Sequence, residues 1–291
     1  MTYKEIYSVG KDRLAAAGIE EAALDARLLL EYVCGTDRNE LLVHGDRLIA
    51  EEQKQQYQEL LKQRESRIPL QHLTGVQEFM GLCFLVNEHV LIPRQDTEVL
   101  VEEVLKNLHD GMNILDLCTG SGCILISLLR YTNNCQGLGV DISPDALSIA
   151  WKNAERLVPE SLIQEEEGNR VGFRLLESDL YERVEGLFDV IVSNPPYIAT
   201  KVIDTLMPEV REHEPRLALD GSEDGLMFYR RIIQGSRAHL KGGGMLFFEI
   251  GYDQGKAVSE LMEQAGFLEI QVIKDYAGLD RVVFGTLSLK L

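Results

Sequence analysis

Positive charge is scarce in this sequence: 29 Lys and Arg stand against 47 Asp and Glu, a net charge of −18. A field of that sign repels a phosphate backbone, so stable nucleic-acid binding is not expected unless a local basic surface overcomes it. Lys62, Arg64 and Arg67 offer such a patch. No stretch is long and apolar enough to cross a bilayer. Residues Met1 to Ala16 alternate charged and apolar positions and lack the apolar core and small-residue cleavage site of a signal peptide. A cytoplasmic protein is expected.

Metal and redox signatures are missing too. The cysteines Cys34, Cys83, Cys118, Cys123 and Cys135 are odd in number and scattered, with no Cys-x-x-Cys spacing, so they are expected to be reduced and packed. None of the six histidines falls in a His-Glu-x-x-His pattern, and no metal is expected. There is no Gly-x-x-x-x-Gly-Lys phosphate loop, no Gly-x-Ser-x-Gly elbow, no internal repeat and no low-complexity tract.

What remains is an ordinary globular composition, 45% hydrophobic and 26% charged, over 291 residues, a length that favours two unequal domains. The first part reads as a helical bundle. Tyr57, Leu60, Leu61 and Arg64 fall at helical spacing within Glu51 to Arg67, and Leu24, Leu28 and Val33 mark an earlier amphipathic stretch. From Pro69 the pattern changes: Gly75, Gly81 and Asn87 punctuate two short strand-like runs, 76–80 and 82–86, which predict a hairpin between domains. Thr97 to Leu108 is helical again, with Leu100, Val101, Val104, Leu105 and Leu108 on one stripe.

Beyond Gly111, apolar runs at Asn113–Leu117, Leu138–Asp141, Phe188–Ser193 and Met245–Ile250 alternate with helical patterns such as Asp145–Leu157 and Gly225–Leu240. Alternation of this kind predicts a parallel sheet covered by helices on both faces, with ligands at the carboxyl ends of the strands. The run Glu165 to Glu167, flanked by Pro159 and Gly168, reads as a solvated loop.

The strand Ile114–Leu117 runs into Cys118-Thr119-Gly120-Ser121-Gly122 and then a helix starting at Cys123, a turn in which glycine lets backbone approach a ligand. A dinucleotide site needs a third glycine where Leu125 stands, so a bound pyrophosphate is disfavoured. Asp141 closes the next strand about 20 residues on, placed to accept hydrogen bonds from a ribose diol rather than only to cap the helix after it. A nucleoside without phosphates satisfies both facts. Asp179 either accepts from an adenine amino group, with Leu180 on the ring, or caps a helix at Leu180-Tyr181-Glu182.

The strand Val190–Ser193 ends in Asn194-Pro195-Pro196-Tyr197. Prolines donate no backbone hydrogen bond, so rigid carbonyls are left as acceptors, and Asn194 adds a side-chain carbonyl. Two acceptors gripping the two hydrogens of a planar NH2 group, with Tyr197 stacked on its flat face, would orient a delocalised nitrogen toward an electrophilic methyl group without a strong general base. A rigid turn after a buried strand is the competing reading, disfavoured by the glycine loop and Asp141 in the same domain. Glu249 is expected to be a local hydrogen-bond partner rather than an acid catalyst, and His213 and His239 carry no expected role.

These residues resemble the HemK/PrmC family, which methylates the N5 nitrogen of the glutamine in the Gly-Gly-Gln motif of peptide chain release factors. The resemblance covers essentially the whole chain. Pro69 to Gly75 and Leu91 to Glu98 look like the family's linker and domain-opening motifs, Asp116 to Gly122 like its cofactor loop, and Asn194 to Tyr197 like its catalytic motif. The Asn-Pro-Pro-Tyr motif is shared with DNA adenine and rRNA guanine methyltransferases, whereas the helical N-terminal domain and the Ile-Pro-Arg segment narrow the choice to glutamine methyltransferases, ribosomal-protein enzymes included. The departures are Gln95 where proline is common, Cys118 where glycine is frequent and Leu180 where some members carry an aromatic.

The resemblance implies an α/β fold: a seven-stranded Rossmann-like sheet of the class I S-adenosylmethionine methyltransferases, its last strand near Arg281–Leu287 antiparallel, with a small N-terminal helical bundle joined by a β-hairpin linker. The implied domains are a substrate-recognition bundle over 1–70, a linker over 71–93 and a methyltransferase domain over 94–291. It implies that Asp116, Cys118, Thr119, Gly120, Ser121, Gly122, Asp141, Ile142, Asp179, Leu180 and Asn194 hold S-adenosylmethionine, and that Asn194, Pro195, Pro196, Tyr197 and Arg94 hold the substrate. Class I release factors are the implied partners of a monomeric enzyme. The alternatives are a ribosomal-protein glutamine methyltransferase, a nucleic-acid amino-methyltransferase, and a cofactor-binding scaffold without chemistry.

Overall fold

The computed structural model describes residues 1–163, 165–166, 169–170 and 172–288. The expected loop residues Glu167 and Gly168 lie outside the described residues.

Five helices open the chain: α1 (Tyr3–Ala16), α2 (Ala22–Cys34), α3 (Arg38–Val43), α4 (Glu51–Glu65) and α5 (Leu70–Thr74). A hairpin of β1 (Val76–Phe79) and β2 (Leu82–Leu85) follows, then α6 (Gln95–Asn107), β3 (Asn113–Leu117), α7 (Cys123–Arg130), β4 (Gln136–Asp141) and α8 (Pro144–Leu157). The short α9 (Glu160–Ile163) and the pair β5 (Glu165–Glu166) and β6 (Asn169–Arg170) precede β7 (Phe173–Glu177) and β8 (Phe188–Ser193). The expected loop at Glu165–Glu166 is therefore part of a two-strand ribbon. Three short helices, α10 (Thr200–Ile203), α11 (Pro208–His213) and α12 (Arg216–Leu219), lead to α13 (Met227–His239), β9 (Leu240–Glu249), α14 (Gly255–Gln264), β10 (Phe267–Lys274) and β11 (Asp280–Leu287).

The chain forms two compact units. The first comprises Met1–Val76 together with Met207–His213. Its core gathers Tyr3, Ile6, Leu14, Ala26, Leu29, Leu30, Tyr57 and Leu61 from α1, α2 and α4. Thr2 starts α1 with a capping box, its hydroxyl accepting from Glu5 N while the Glu5 carboxylate accepts from Thr2 N. Leu24, expected on the inward stripe of α2, is exposed; the buried face is Ala22, Asp25, Ala26, Leu29, Leu30 and Val33. At 3.6 residues per turn Ala22, Ala26, Leu29, Leu30 and Val33 share one face, and Leu24 falls on the opposite one. Asp25 is buried since it meets Arg64 at 2.7 Å, and Arg64 also reaches Glu209 of α11 at 3.1 Å. Arg67 joins Glu209 at 3.2 Å. Two of the three cations of the candidate basic patch are thus consumed by internal ion pairs.

The second unit, Gln77–Leu206 with Glu214–Leu291, contains a seven-stranded sheet of order β10-β11-β9-β8-β3-β4-β7. The central strands are parallel, and β11 runs antiparallel to both β9 and β10, as expected for the last strand. Period-2 alternation feeds two cores. Ile114, Val190, Val192 and Phe247 face the α6 and α7 side, while Leu115, Leu117, Ile191, Leu246 and Phe248 face α13 and α14. The hairpin belongs to the first of these cores through Phe79 and Phe84. Asn153 of α8, fully buried, fastens it: its side chain accepts from Leu85 N at 2.7 Å and donates to the carbonyls of Leu85 and Ser121 at 3.0 Å. Of the cysteines expected to be packed, Cys83 is exposed, because on β2 it points away from the core that Phe84 enters. Among the described residues no helix is long and apolar enough to cross a membrane, and no cluster of His, Cys, Asp and Glu is placed to hold a metal ion.

Candidate active site

The glycine loop leaves β3 in a left-handed curl, with positive φ at Cys118 (61°), Gly120 (55°) and Gly122 (79°). A cysteine in that region carries a Cβ clash of about 1–2 kcal/mol, which surrounding bonds must offset. Asp116, wholly buried at the end of β3, accepts the Thr119 hydroxyl at 2.6 Å, and Thr119 N donates to Val140 O at 3.0 Å. Burial pushes the Asp116 carboxyl up to about 7, against the opposing Thr119 bond. Asp141, ending β4, is the second anchor: its two oxygens accept from Gly120 N and Ser143 N, each at 2.9 Å. Burial raises its pKa as well. Helix α8 is capped by the Ser143 hydroxyl, not by Asp141, which leaves the Asp141 carboxylate further lone pairs for a ligand.

A cavity of about 210 Å³ opens at the carboxyl ends of the strands, wholly within the second unit. Of the expected cofactor residues, Cys118, Thr119, Gly120, Ser121, Asp141, Ile142, Asp179, Leu180 and Asn194 line it. Asp116 lies beneath the loop and Gly122 is the N-cap residue just before α7, and neither is on the cavity wall. Asp179 binds Arg231 of α13 at 2.8 Å. Its alternative role as a helix cap falls away, because residues 180–183 form a turn rather than a helix. Arg94 is on the wall and pairs at 2.6 Å with the buried Glu214, whose pKa burial raises against the pull of that arginine.

Both of the cavity's arginines are neutralised by carboxylates, and Asp141 has no cation partner among the described residues. A phosphate would meet no free arginine there, whereas a ribose diol or a cationic sulfonium meets carboxylate.

At the end of β8, Ser193 donates its hydroxyl to Leu117 O at 2.7 Å, locking the strand's last residue to β3. Asn194 and Pro196 line the cavity; Pro195 and Tyr197 do not. Asn194 Nδ2 donates to Thr97 Oγ1 of α6 at 3.4 Å. The Tyr197 hydroxyl donates to Glu249 Oε1 at 3.3 Å, which makes Glu249 the local partner expected of it. Burial pushes the Glu249 carboxyl up to about 7, against the pull of the Thr97 hydroxyl and the Arg281 cation, and burial raises the Tyr197 phenol too. Tyr197 packs on the α13 side of the sheet rather than across the cavity, so the expected stacking platform is not formed by this ring position.

The turn 220–225, which the sequence reading passed over, braces the motif. Gly221 N donates to Ile198 O at 2.8 Å, and Gln254 Nε2 donates to Tyr197 O at 3.0 Å. A Cβ on Gly221 would stand 2.9 Å from the Pro196 carbonyl oxygen, and one on Gly225 only 2.4 Å from that of Tyr197. The two glycines beside Asp220 and Asp224 were the available signal. Thr97, Arg231 and Asn153 gave none, being single polar residues inside helical patterns.

The antiparallel β11 in a seven-stranded sheet, with a glycine loop and an Asn-Pro-Pro-Tyr turn on one cavity, defines the class I methyltransferase fold. Residues 94–222 match the methyltransferase small domain family and residues 5–75 the PrmC N-terminal domain family. The fold is also that of a methyltransferase from Pyrococcus furiosus, whose crystal structure superposes with a TM-score of 0.52 at 19% identity, covering 78% of this chain and 100% of that one. At the sequence level, the chain is 42% identical to the release factor glutamine methyltransferase of Caulobacter vibrioides, over 98% of this chain and 96% of the relative. The corresponding protein of Geobacter sulfurreducens is 41% identical, over 99% and 97%. The chain belongs to the release factor glutamine methyltransferase family.

Proposed function

We propose that this protein transfers a methyl group from S-adenosylmethionine to the side-chain N5 nitrogen of the glutamine in the Gly-Gly-Gln motif of class I release factors, acting in the cytoplasm as a monomer. The observation that carries the reading is Asn194 on the wall of the cavity that Asp141 closes, together with family membership over nearly the full chain. When bound, S-adenosylmethionine supplies an electrophilic methyl group on sulfur. Asp141 would hold its ribose hydroxyls, Asp179 and Leu180 its adenine, and the backbone of 118–122 its methionine part.

The chain's own task is to make a poor nucleophile react. An amide nitrogen shares its lone pair with the carbonyl, so it gains from acceptors that grip both hydrogens and favour positive charge on nitrogen. Asn194 Oδ1 is one such acceptor. A backbone carbonyl of the Pro195–Pro196 pair would be the other, since neither proline has an N–H. Both N–H bonds stay held until the new N–C bond makes the nitrogen acidic, when one proton passes to water. Arg94 and Pro196 complete the substrate side, Tyr197 acts from behind the motif, and the first unit with its linker serves substrate recognition.

The test is transfer of labelled methyl to an intact release factor, its Gln→Glu variant and duplex DNA. Label on the intact factor alone is expected. Equal label on the Gln→Glu variant would remove the target atom, and stronger label on DNA would transfer the assignment to an amino-methyltransferase of nucleic acid.

A further inference from the structure

We propose that Gln254 is a positioning residue for methyl transfer: its amide fixes the rear of the Asn194–Tyr197 turn and so sets where the acceptors of that turn stand. The inference rests on the reading of the turn as the site that grips the substrate nitrogen. Gln254 is not on the cavity wall. It acts through Tyr197.

The turn needs support from outside itself. Pro195 and Pro196 have no N–H, so neither is tied down by donating a hydrogen bond, and the direction of their carbonyls depends on what holds the two ends. The front is held by β8: Ser193 pairs with Leu117 and with Phe248, and its hydroxyl is donated to Leu117 O at 2.7 Å. At the rear, the Tyr197 carbonyl accepts from Gln254 Nε2 at 3.0 Å, and the same nitrogen donates to Gly225 O at 3.3 Å. Gln254 Oε1 accepts from Gly251 N at 2.9 Å. A primary amide is nearly symmetric in shape, but these three partners are backbone groups of invariable polarity, two carbonyls and one N–H. They admit one orientation of the amide only. The Tyr229 hydroxyl, 3.4 Å from Oε1, suits that orientation too.

Two independent features show that this side chain is placed for the turn. Gln254 is the N-cap residue of α14, a position where Ser, Thr, Asp or Asn would bond the first turn of the helix, yet its side chain makes no cap bond. Its amide is spent on the loops that follow β8 and β9 instead. Gly225 leaves the room: a Cβ there would stand 2.8 Å from Gln254 Nε2 and 2.4 Å from Tyr197 O. A helix cap given up and a glycine that clears the path converge on the last carbonyl of the turn.

Gln254→Glu keeps the side chain's shape and the acceptor for Gly251 N but has no N–H for Tyr197 O. In a variant that circular dichroism shows to be folded, kcat on an intact release factor should fall roughly ten- to a hundredfold, the effect of a small misplacement of the groups that hold the substrate. The Kd for S-adenosylmethionine by calorimetry and the KM for the release factor should stay within about threefold of wild type, because Gln254 touches neither ligand and the defect lies in the transition state. Gln254→Ser can cap α14 but is too short to reach Tyr197 O. It should lose kcat to the same extent, and it decides the matter if Gln254→Glu does not fold. A glutamine with a merely structural role would lower the melting temperature and leave the kcat of the folded chain unchanged. Wild-type kcat in either folded variant, a loss confined to Kd or KM, or failure of both variants to fold overturns the proposal. Equal label on the release factor from the wild type and the variants defeats the positioning role alone. No label with the wild-type chain overturns the functional reading and this one with it.

Discussion

Asp141 and Glu249 show how the same buried carboxylate chemistry serves different ends. Asp141 keeps its oxygens on two backbone amides at the mouth of a cavity. Asp141→Ala should weaken S-adenosylmethionine binding by about 1–3 kcal/mol, the cost of leaving polar groups without a partner, and calorimetry giving an unchanged affinity would contradict its role. Glu249 faces Tyr197, Thr97, Arg281 and Asp96 with its pKa raised to about 7, from 4.5. A raised acid favours the folded state while both states are protonated, and that advantage is lost as pH rises from about 4.5 through 7. Glu249→Gln should therefore gain stability relative to wild type across that window, by up to roughly 3 kcal/mol. Denaturant titrations from pH 5 to 8 check this, and a pH-independent difference between the two proteins would refute it. These roles were only partly legible in the sequence. Asp141 was readable because its spacing from the glycine loop is a local pattern. Thr97 was not, because its meaning comes from Asn194, 97 residues away.

Elements differ in the same way. Strands β3 and β8 read clearly as apolar runs because helices cover both faces of the sheet there. Strand β10 lies at the sheet edge with mostly exposed side chains, and its sequence offers no such run. The assignment of α11 to the first unit had no local signal at all, since it rests on Glu209 meeting Arg64 across 145 residues of chain. Arg64→Ala would strand the buried Asp25 without its cation, leave Glu209 with Arg67 alone, and should cost about 3–5 kcal/mol, as removing one partner of a buried pair does. Thermal melting measures it, and a shift of under a degree would show that the cluster holds nothing. In the turn 220–225, Gly225 has φ +73° and no room for a Cβ beside the Tyr197 carbonyl. Gly225→Ala should displace the Asn194–Tyr197 turn and cost more than about 1 kcal/mol of stability along with most of kcat. Wild-type kcat in that variant would show that the turn does not brace the motif.

At the scale of the whole molecule, the net charge of −18 and the internal pairing of Arg64 and Arg67 leave the protein poorly suited to a phosphate backbone. A folded protein partner suits it better, because contacts remote from the reacting atoms can supply the binding that positions a weak nucleophile. A free Gly-Gly-Gln peptide should accordingly show a much lower kcat/KM than the intact factor, and equal values would remove the need for the first unit in recognition. The central claim is methyl transfer to one nitrogen, gripped by Asn194. Its most direct test is mass spectrometry of an intact release factor after incubation with S-adenosylmethionine and either the wild-type chain or Asn194→Ala. The account predicts one added methyl group on the glutamine of the Gly-Gly-Gln motif with the wild type, and a rate at least about a hundredfold lower with the folded variant. Methylation at another residue, or undiminished methylation by Asn194→Ala, would contradict it.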